Sequence, residues 1–316
     1  MLYSRREIGK LALAVPAAAL MPGFAQGKPD SKWGGVQVGL IAPYAFQGTA
    51  PTADAILSNL VALGISAVEL QNDPVEAYAG APATGGGGGR GRGRGQATPE
   101  QQAEQRARAE ELKAWRLSVP MDKYTAFRKQ YNDAGVSIYG FKLTLTEGMS
   151  DAEHDYAFNV TKALGADQLT MELPGSPTLS RRIGESAAKH KVKVGYHQHL
   201  QATFNLWDEA LTQSPYNGIN LDIGHYVAGT SQSPIPLIEK HHERITSIHL
   251  KDRKKDKGDN MPWGQGDTPI REVLQLMKAR KYTFPATIEL EYRVEGSDPM
   301  AELRKCVQYC REALGG

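Results

Sequence analysis

Short apolar, β-prone runs recur along the chain, and helix-prone segments lie between them. There are eight such runs, at residues 36–41, 66–70, 136–143, 168–172, 192–197, 219–222, 246–250 and 285–289. Alternating strands and helices favour parallel strand pairing with right-handed crossovers. Eight repeats of this unit can close a single-domain (β/α)8 TIM barrel, which is the α/β fold that we expect. A doubly wound open sheet is the main competitor, but no GxGxxG motif follows the first run.

The first 26 residues have the composition of an export signal. Residues 4–10 read SRREIGK, with a twin-arginine pair, and the apolar stretch LALAVPAAALMP follows. This stretch is too short to span a bilayer, and the small residues GFA precede Gln26 at the usual cleavage positions. We therefore predict a Tat-type signal peptide over residues 1–26, a periplasmic location and no stable membrane anchor after cleavage. The alternative is a buried N-terminal helix.

A glycine- and arginine-rich segment interrupts the alternation between the second and third runs. It contains GGGGGRGRGRG at 85–95, and we predict a disordered insertion at about 80–98 within a barrel that spans 33–316. The stretch after it is predicted to be an exposed helix with mixed charge. The chain has 37 basic and 35 acidic side chains, a formal net charge of +2, so no strong positive field indicates a nucleic-acid partner.

Acidic and histidine residues stand near the carboxyl ends of five runs. In a parallel barrel these ends form the face that carries the active site. Carboxylate oxygens and imidazole nitrogens that converge there suit a divalent cation better than a Ser-His-Asp nucleophile. The candidates lie in the segments LTMEL, KVGYHQH, INLDIGH, TSIHLKD and PATIELE, and they are Glu172, His197, His199, Asp222, His225, His249, Lys251, Asp252 and Glu289.

The pairing of LDIGH with SIHLKD is the most specific of these signals. Asp222 and His249 are 27 positions apart, which fits one βα unit, so we expect the two side chains on neighbouring strands. With these motifs the chain resembles the xylose isomerase-like TIM-barrel superfamily, which contains sugar (phosphate) isomerases and epimerases and the endonuclease IV-type nucleases. The resemblance runs from VGLIAPYAF through ISAVEL, YHQHLQ, LDIGH, HLKD and GQGD to IELE.

The resemblance implies that Asp222, His249 and Glu289 are metal ligands. The family usually carries a Glu at the end of the fifth strand, and in epimerases that carboxylate is tied to proton transfer. This chain has His197 there, whereas Glu172 stands one strand earlier, where nuclease members carry a His. We therefore expect the two ligand types to have exchanged strands. The predicted ligands are Glu172, His197, Asp222, His249 and Glu289, and they suit Mn²⁺, Mg²⁺, Co²⁺ or Zn²⁺.

The remaining polar residues of these segments are candidates for substrate contact. Side chains two positions apart on a strand face the same side, so His197 and His199 are both expected to face the barrel interior. We assign His197 to the metal and His199 to the substrate, although the reverse stays open. His225 is a candidate for acid–base work or for a structural role. Lys251 is a candidate donor to a substrate oxygen or a solvated lysine. The predicted catalytic residues are therefore His199, His225 and Lys251.

Several further expectations concern residues outside these two sets. Glu69 ends the second run and is an additional candidate to reach the site. The loop KDRKKDKGDNMPWGQGD begins with a basic part that we expect to be a solvated turn, whereas MPWGQGD resembles the G-x-G-D loop of the family. Four histidines on helix-like segments are expected at the surface: His154, His190, His241 and His242.

Together these features predict a divalent-metal-dependent isomerase, epimerase or lyase with a small-molecule carbohydrate substrate. The metal would stabilise the enediolate that forms when a base removes the α-proton of a keto-sugar or keto-glycoside. Two alternatives remain, an endonuclease IV-like phosphodiesterase and a non-catalytic sugar-binding barrel. The predicted periplasmic location and the charge balance disfavour the nuclease. A homo-oligomer is compatible with the sequence.

Overall fold

A computed structural model of the chain describes residues 27–83 and 98–316, and it contains a closed barrel of eight parallel strands. Strand β1 (Lys32–Trp33) lies outside the barrel and pairs antiparallel with the first barrel strand. The barrel strands are β2 (Val36–Ala42), β3 (Ala67–Gln71), β4 (Ser137–Lys142), β5 (Gln168–Glu172), β6 (Lys193–His197), β7 (Asn217–Asp222), β8 (Ile245–Leu250) and β9 (Ala286–Ile288). Pairing of β9 with β2 closes the ring. The predicted TIM barrel is confirmed, and each strand boundary lies close to that of its apolar run.

Helices connect the barrel strands and pack against the sheet. They are α1 (Ala53–Leu63), α2 (Asn72–Tyr78), α3 (Pro99–Ser118), α4 (Asp122–Asp133), α5 (Asp151–Ala163), α6 (Pro177–His190), α7 (Asp208–Gln213), α8 (Ile223–Thr230), α9 (Ile235–His241), α10 (Ile270–Arg280) and α11 (Pro299–Leu314). A 3₁₀ turn at Tyr44–Phe46 follows β2. Within residues 27–83 and 98–316, no helix combines the length and the apolar character that a membrane span requires.

The interior of the barrel is filled by side chains from opposite strands. The hydroxyl of Tyr139 on β4 lies 2.7 Å from that of Thr287 on β9, so the tyrosine reaches across the barrel. Gly39 on β2 makes room for this ring, because an added Cβ would lie 2.6 Å from it. The barrel is therefore a packed core, and the polar groups that remain for chemistry lie at its carboxyl end.

Helix α3, which follows the predicted insertion, is held to the barrel by a buried ion pair near its C-terminal end. Nε and Nη2 of Arg116 donate to the two carboxylate oxygens of Glu76 on α2, at 2.7 and 2.9 Å. Tyr156 on α5 donates to the same carboxylate at 2.8 Å. The rest of α3 is largely exposed, as its mixed charge predicts.

Some of the predictions made from the sequence fall outside the described residues, and one about the histidines is wrong. The predicted signal peptide at 1–26 and residues 84–97 of the predicted insertion lie outside the described ranges. Of the four histidines predicted at the surface, only His242 is exposed. The prediction is wrong for His154, which is fully buried between α5 and α6, and the side chains of His190 and His241 are only 10% and 11% exposed. Nδ1 of His154 lies 3.3 Å from Oγ of Ser186. Helical periodicity alone did not show that α5 buries its polar residues as well as its apolar ones.

Candidate metal centre

Four side chains at the ends of the consecutive strands β6 to β9 meet at the carboxyl end of the barrel. They are His197, Asp222, His249 and Glu289, and one candidate ligand atom from each lies within 4.8 Å of the others. Glu289 directly follows β9, and all four residues are buried. The strand register brings them together, since Asp222 on β7 pairs directly with His249 on β8. Two imidazoles and two carboxylates at this spacing form a donor set for a divalent transition metal.

The LDIGH segment carries strand β7 directly into helix α8. Asp222 is the N-cap, and its Oδ1 accepts a hydrogen bond of 2.7 Å from the backbone N–H of His225. An added Cβ at Gly224 would lie 2.5 Å from the carbonyl oxygen of Lys251, so glycine lets α8 begin against the end of β8. The other oxygen, Oδ2, accepts no well-directed hydrogen bond within the described ranges and lies 2.9 Å from Nζ of Lys251. A buried carboxylate oxygen that accepts no well-directed hydrogen bond is suited to ligate a metal ion.

His249 is held between two carboxylates. Its Nε2 lies 2.8 Å from Oε2 of Glu69, and its Nδ1 lies 2.6 Å from Oε2 of Glu289. Burial would lower the pKa of this imidazole, but the negative charges of Glu69 and Glu289 raise it to about 10. Burial would raise the pKa of Glu69, but His249 and other neighbours lower it to about 2. Glu69 is therefore the anionic partner that orients Nε2, and a metal at Nδ1 would replace the second proton.

His197 is neutral, and its ring orientation follows from Asn220. Nδ1 of His197 lies 2.8 Å from Oδ1 of Asn220, whose Nδ2 donates to Ser247 at 2.8 Å. Since this amide oxygen only accepts, Nδ1 of His197 carries the proton and Nε2 carries the lone pair. Burial, with the positive charges of Lys142 and His249, lowers the pKa of His197 to about 3. A neutral imidazole with a free Nε2 is the form that ligates a metal.

The charge of this end of the barrel also fits a divalent cation. The Lys251 ammonium lies 2.9 Å from Asp222, 3.2 Å from Glu289 and 2.7 Å from Glu291, and these carboxylates outweigh burial and raise its pKa. Five carboxylates stand against three permanent cations and the protonated His249, which leaves an excess of one negative charge, or of two where a metal replaces the second proton of His249. The carboxylates are Glu69, Glu172, Asp222, Glu289 and Glu291, and the cations are Lys142, Lys251 and Arg253.

Glu172 lies beside the group of four and not within it, in contrast to its predicted role as a metal ligand. Its Oε1 accepts a hydrogen bond from Nζ of Lys142 at 3.2 Å, and its Oε2 lies 3.0 Å from Nε2 of His199. Burial would raise the pKa of Glu172, but His199 and Lys142 hold it well below its usual range. The side chain turns toward β4 and the β6 loop because both supply partners for its charge. His197 at the end of β6 therefore belongs to the group of four, whereas Glu172 at the end of β5 pairs with His199.

The predicted catalytic histidines, His199 and His225, lie together beside the four candidate ligands His197, Asp222, His249 and Glu289, which we call the metal group. Nδ1 of His199 lies 3.1 Å from Nε2 of His225, and both residues form a second close group with His197. Burial and the positive charge of Lys251 lower the pKa of His225 to about 4, so its imidazole is neutral. Lys251 itself is fully buried among carboxylates, so the reading of this residue as a solvated lysine is wrong.

The loop after β8 is buried at its start, so the prediction of a solvated turn is wrong for Arg253. Its Nη1 lies 2.8 Å from Nδ1 of His225, while Nε and Nη2 both donate to the carbonyl oxygen of Gly258. The chain folds back across the mouth at a bridge between Arg253 and Asn260. The charge pattern of the sequence could not reveal that one of several adjacent basic residues reaches a histidine in helix α8.

Asp252 organises the second half of the same loop. Its carboxylate accepts hydrogen bonds from the backbone N–H groups of Gly264, Gly266 and Thr268 at 2.8, 2.9 and 3.2 Å. An added Cβ at Gly266 would lie 1.9 Å from Oδ1 of Asp252, so the GQGD motif requires glycine at this point. Asp252 therefore holds the loop in place and does not face the metal group.

Two further residues at the mouth carry no signal in the sequence. The Tyr44 hydroxyl donates to Oε1 of Glu291, and Nδ2 of Asn260 donates to Oε2 of the same carboxylate at 3.3 Å. Tyr44 is 43% exposed although its hydroxyl is anchored, so its ring forms part of the accessible rim. These contacts join the β2 and β8 loops to the end of β9.

The chain belongs to the xylose isomerase-like TIM barrel family, which matches residues 105–313. The inosose dehydratase of Lactiplantibacillus plantarum is 24% identical over 154 residues, or 42% of this chain and 51% of that protein. The inosose dehydratase of Clostridium tetani is 24% identical over 153 residues, again 42% of this chain and 51% of the relative. The chain thus spans about half the length of the curated relatives that it matches.

Solved structures of low sequence identity share the fold. The probable 3-DHS dehydratase AsbF of Bacillus anthracis has a TM-score of 0.60 at 13% identity, with 86% of this chain and 97% of that chain covered. A D-psicose 3-epimerase determined in the presence of D-fructose has a TM-score of 0.59 at 11% identity, with 89% and 100% covered. At these identities the solved structures establish the barrel fold.

Proposed function

We propose that this protein is a divalent-metal-dependent carbon–oxygen lyase that acts on a keto-sugar or a keto-glycoside. The observation that carries the proposal is the buried group of His197, Asp222, His249 and Glu289 beside the Glu172–His199 pair. A divalent ion in this group would polarise a carbonyl and the adjacent hydroxyl, and it would stabilise the negative charge that follows removal of the α-proton. The relatives that are named dehydratases support a lyase.

His199 is the base that we assign to the α-proton. Its Nε2 faces the Glu172 carboxylate at 3.0 Å, so the proton lies on Nε2 and the lone pair on Nδ1. A carboxylate that holds one nitrogen of a histidine in this way makes the other nitrogen the basic one and stabilises the imidazolium that forms. The His199 side chain is 29% exposed, so a substrate can reach it.

His225 and Lys251 would act on the substrate oxygens. His225 is neutral, and a neutral imidazole can donate a hydrogen bond to a carbonyl oxygen that gains negative charge, as in triosephosphate isomerase. The Lys251 ammonium lies 3.0 Å from Nε2 of His225 and adds positive charge at the same place. The proton that His199 accepts can then return to the β-oxygen as it leaves, which balances the elimination of water or an alcohol.

The lyase is favoured over an epimerase because of His197. Epimerisation needs proton-transfer groups on both sides of one carbon, and the family carboxylate tied to that task is replaced here by His197. Its Nδ1–H is engaged by Asn220, and its Nε2 faces the metal position, so it has no atom left for proton transfer. An isomerase or epimerase is the second candidate, supported by the similarity to D-psicose 3-epimerase.

The test is a metal analysis followed by a product analysis. We expect about one divalent ion per chain, loss of activity with a chelator, and recovery on adding the metal back. The product of a keto-glycoside should be an α,β-unsaturated ketone with release of the alcohol, measured by absorbance and mass spectrometry. A stereoisomer of unchanged mass would instead support the epimerase. A protein that binds no metal and retains its activity in chelator would refute both assignments.

A further inference from the structure

The imidazole of His225 lies between two cationic donors. Nη1 of Arg253 is 2.8 Å from its Nδ1, and Nζ of Lys251 is 3.0 Å from its Nε2. Neither cation can accept a hydrogen bond, and a neutral imidazole has one lone pair for the two of them. The ring must therefore accept from one cation and point an N–H toward the other. The tautomer of His225 depends on which cation donates.

The other partners of the two cations differ. Lys251 has three carboxylates within 3.2 Å, those of Asp222, Glu289 and Glu291, which match the three protons of its ammonium. Arg253 uses Nε and Nη2 for the Gly258 carbonyl and directs Nη1 at His225. A carboxylate attracts an ammonium proton more strongly than a neutral ring nitrogen does. Lys251 can therefore donate its three hydrogen bonds to the carboxylates, and Arg253 remains the donor to the imidazole of His225.

We propose that Arg253 is a positioning residue that holds His225 in the tautomer with the proton on Nε2. In that tautomer Nε2–H points to Nδ1 of His199, 3.1 Å away, and Nε2 of His199 lies 3.0 Å from the Glu172 carboxylate. The donors then run in one direction, from Arg253 through His225 to His199, whose other ring nitrogen faces the negative charge of Glu172. When a substrate oxygen takes the hydrogen bond of His225, the Nδ1 lone pair of His199 is released toward the substrate.

The tautomer assignment rests on hydrogen bonds of the protein alone, whereas its role in turnover rests on the proposed function. Nitrogen chemical shifts test the tautomer without any measurement of activity, because two-bond ¹⁵N–¹H correlation spectra of histidine-labelled protein distinguish Nδ1–H from Nε2–H. We would record them on the full chain without metal and with Zn²⁺, and assign the ring by comparison with His225→Gln. The expected result in both forms is a protonated Nε2 and an unprotonated Nδ1. A protonated Nδ1 in the wild-type protein would overturn the proposal, because Lys251 would then be the donor.

Substitution of Arg253 tests the cause. Arg253→Met removes the donor at similar side-chain length, and we expect a mixture of tautomers at His225. Arg253→Lys keeps a cationic donor and should retain more of the Nε2–H form than Arg253→Met. Lys254→Met is the matched control, since it removes a charge from the same loop at an exposed side chain that pairs with Asp267. An unchanged tautomer in a folded Arg253→Met protein would exclude Arg253 as the determinant.

Kinetics then report whether the tautomer matters for turnover. We expect kcat to fall about 10²-fold in Arg253→Met, with a smaller change in KM and partial recovery in Arg253→Lys. Lys254→Met should retain wild-type kcat. An altered tautomer with unchanged kcat would remove His225 from the proposed reaction and leave the structural assignment intact.

Discussion

Glu172 and Asp222 are both acidic residues at the carboxyl ends of barrel strands, yet their neighbours give them different tasks. Asp222 is fully buried, with one oxygen capping α8 and the other facing the metal group. Glu172 is partly exposed and lies between Lys142 and His199. Strand position alone made both of them predicted ligands, and only the surrounding side chains distinguish them.

Conservative amide substitutions should separate these two tasks. We expect Glu172→Gln to retain the metal and to lower kcat by about 10²-fold to 10⁴-fold, because the amide no longer fixes the His199 tautomer or stabilises its cation. Asp222→Asn should lose both the metal and the activity. Metal content by mass spectrometry and kcat on the same samples provide the measurement. Metal loss from Glu172→Gln would restore this residue to the ligand set.

The buried His154 should make stability depend on pH. Burial and the positive charge of Arg182 lower the pKa of His154 below its usual value of 6.5, and its Nε2 has no hydrogen-bond partner among the described residues. The unfolded chain therefore takes up a proton first, so the free energy of unfolding should fall as the pH decreases below about 6.5. We expect His154→Leu to show a smaller decrease than the wild type in denaturant titrations. His242→Leu, at an exposed ring, is the control, and equal pH slopes in wild type and His154→Leu would contradict this expectation.

At this scale, the sequence predicts residues whose position follows from strand order. Asp222, His249 and Glu289 could be expected together because the ends of adjacent parallel strands share one rim. Asn220 and Arg253 could not, since their roles depend on which ring nitrogen of a neighbouring histidine they face. Glu69 lies between these cases: the sequence places it near the end of an apolar run, but only the structure shows that it lies within β3 and orients His249.

At the scale of elements, the strands were readily predicted and the attachment of the helices was not. Each barrel strand is an almost continuous buried run, which a parallel sheet requires. Helix α3 is instead polar over most of its length and carries little apolar signal. Its attachment depends on Arg116, which is indistinguishable in the sequence from the exposed Arg108.

The Glu76–Arg116 pair should therefore matter far more for stability than other ion pairs of α3. We expect Arg116→Met to lower the free energy of unfolding by about 3–5 kcal/mol, because it leaves the Glu76 carboxylate buried without its partner. The matched control is Arg108→Met, which removes an exposed pair with Glu104 and should cost about 0.3–0.5 kcal/mol. Glu76→Gln combined with Arg116→Met should recover part of the loss. Equal effects of the two arginine substitutions in urea titrations would refute the anchoring role.

At the scale of the whole molecule, the candidate metal centre joins four of the eight barrel strands, β6 to β9. An ion that binds only the folded chain raises its stability by mass action, by about 2.7 kcal/mol at a concentration of 100 Kd. We expect a Tm higher by several degrees with saturating Zn²⁺ or Mn²⁺, and a stoichiometry of one. His197 belongs both to the metal group and to the group that it forms with His199 and His225. Its single Nε2 can ligate only one ion, so we expect the two groups not to bind an ion each. Two tightly bound ions by calorimetry would contradict this prediction, and Asp222→Asn should show no such rise in Tm.

The order of the ligands along the chain has a consequence for biosynthesis. The four donors lie between His197 and Glu289, so a ribosome must complete most of the polypeptide before the centre can assemble. An ion bound by these candidate ligands would therefore be selected in the compartment where the barrel closes, and the free metal concentrations of that compartment would decide which ion is captured. If residues 1–26 direct export of the folded protein, as their sequence predicts, that choice is made in the cytoplasm, and the metal enters the periplasm as cargo of the finished enzyme.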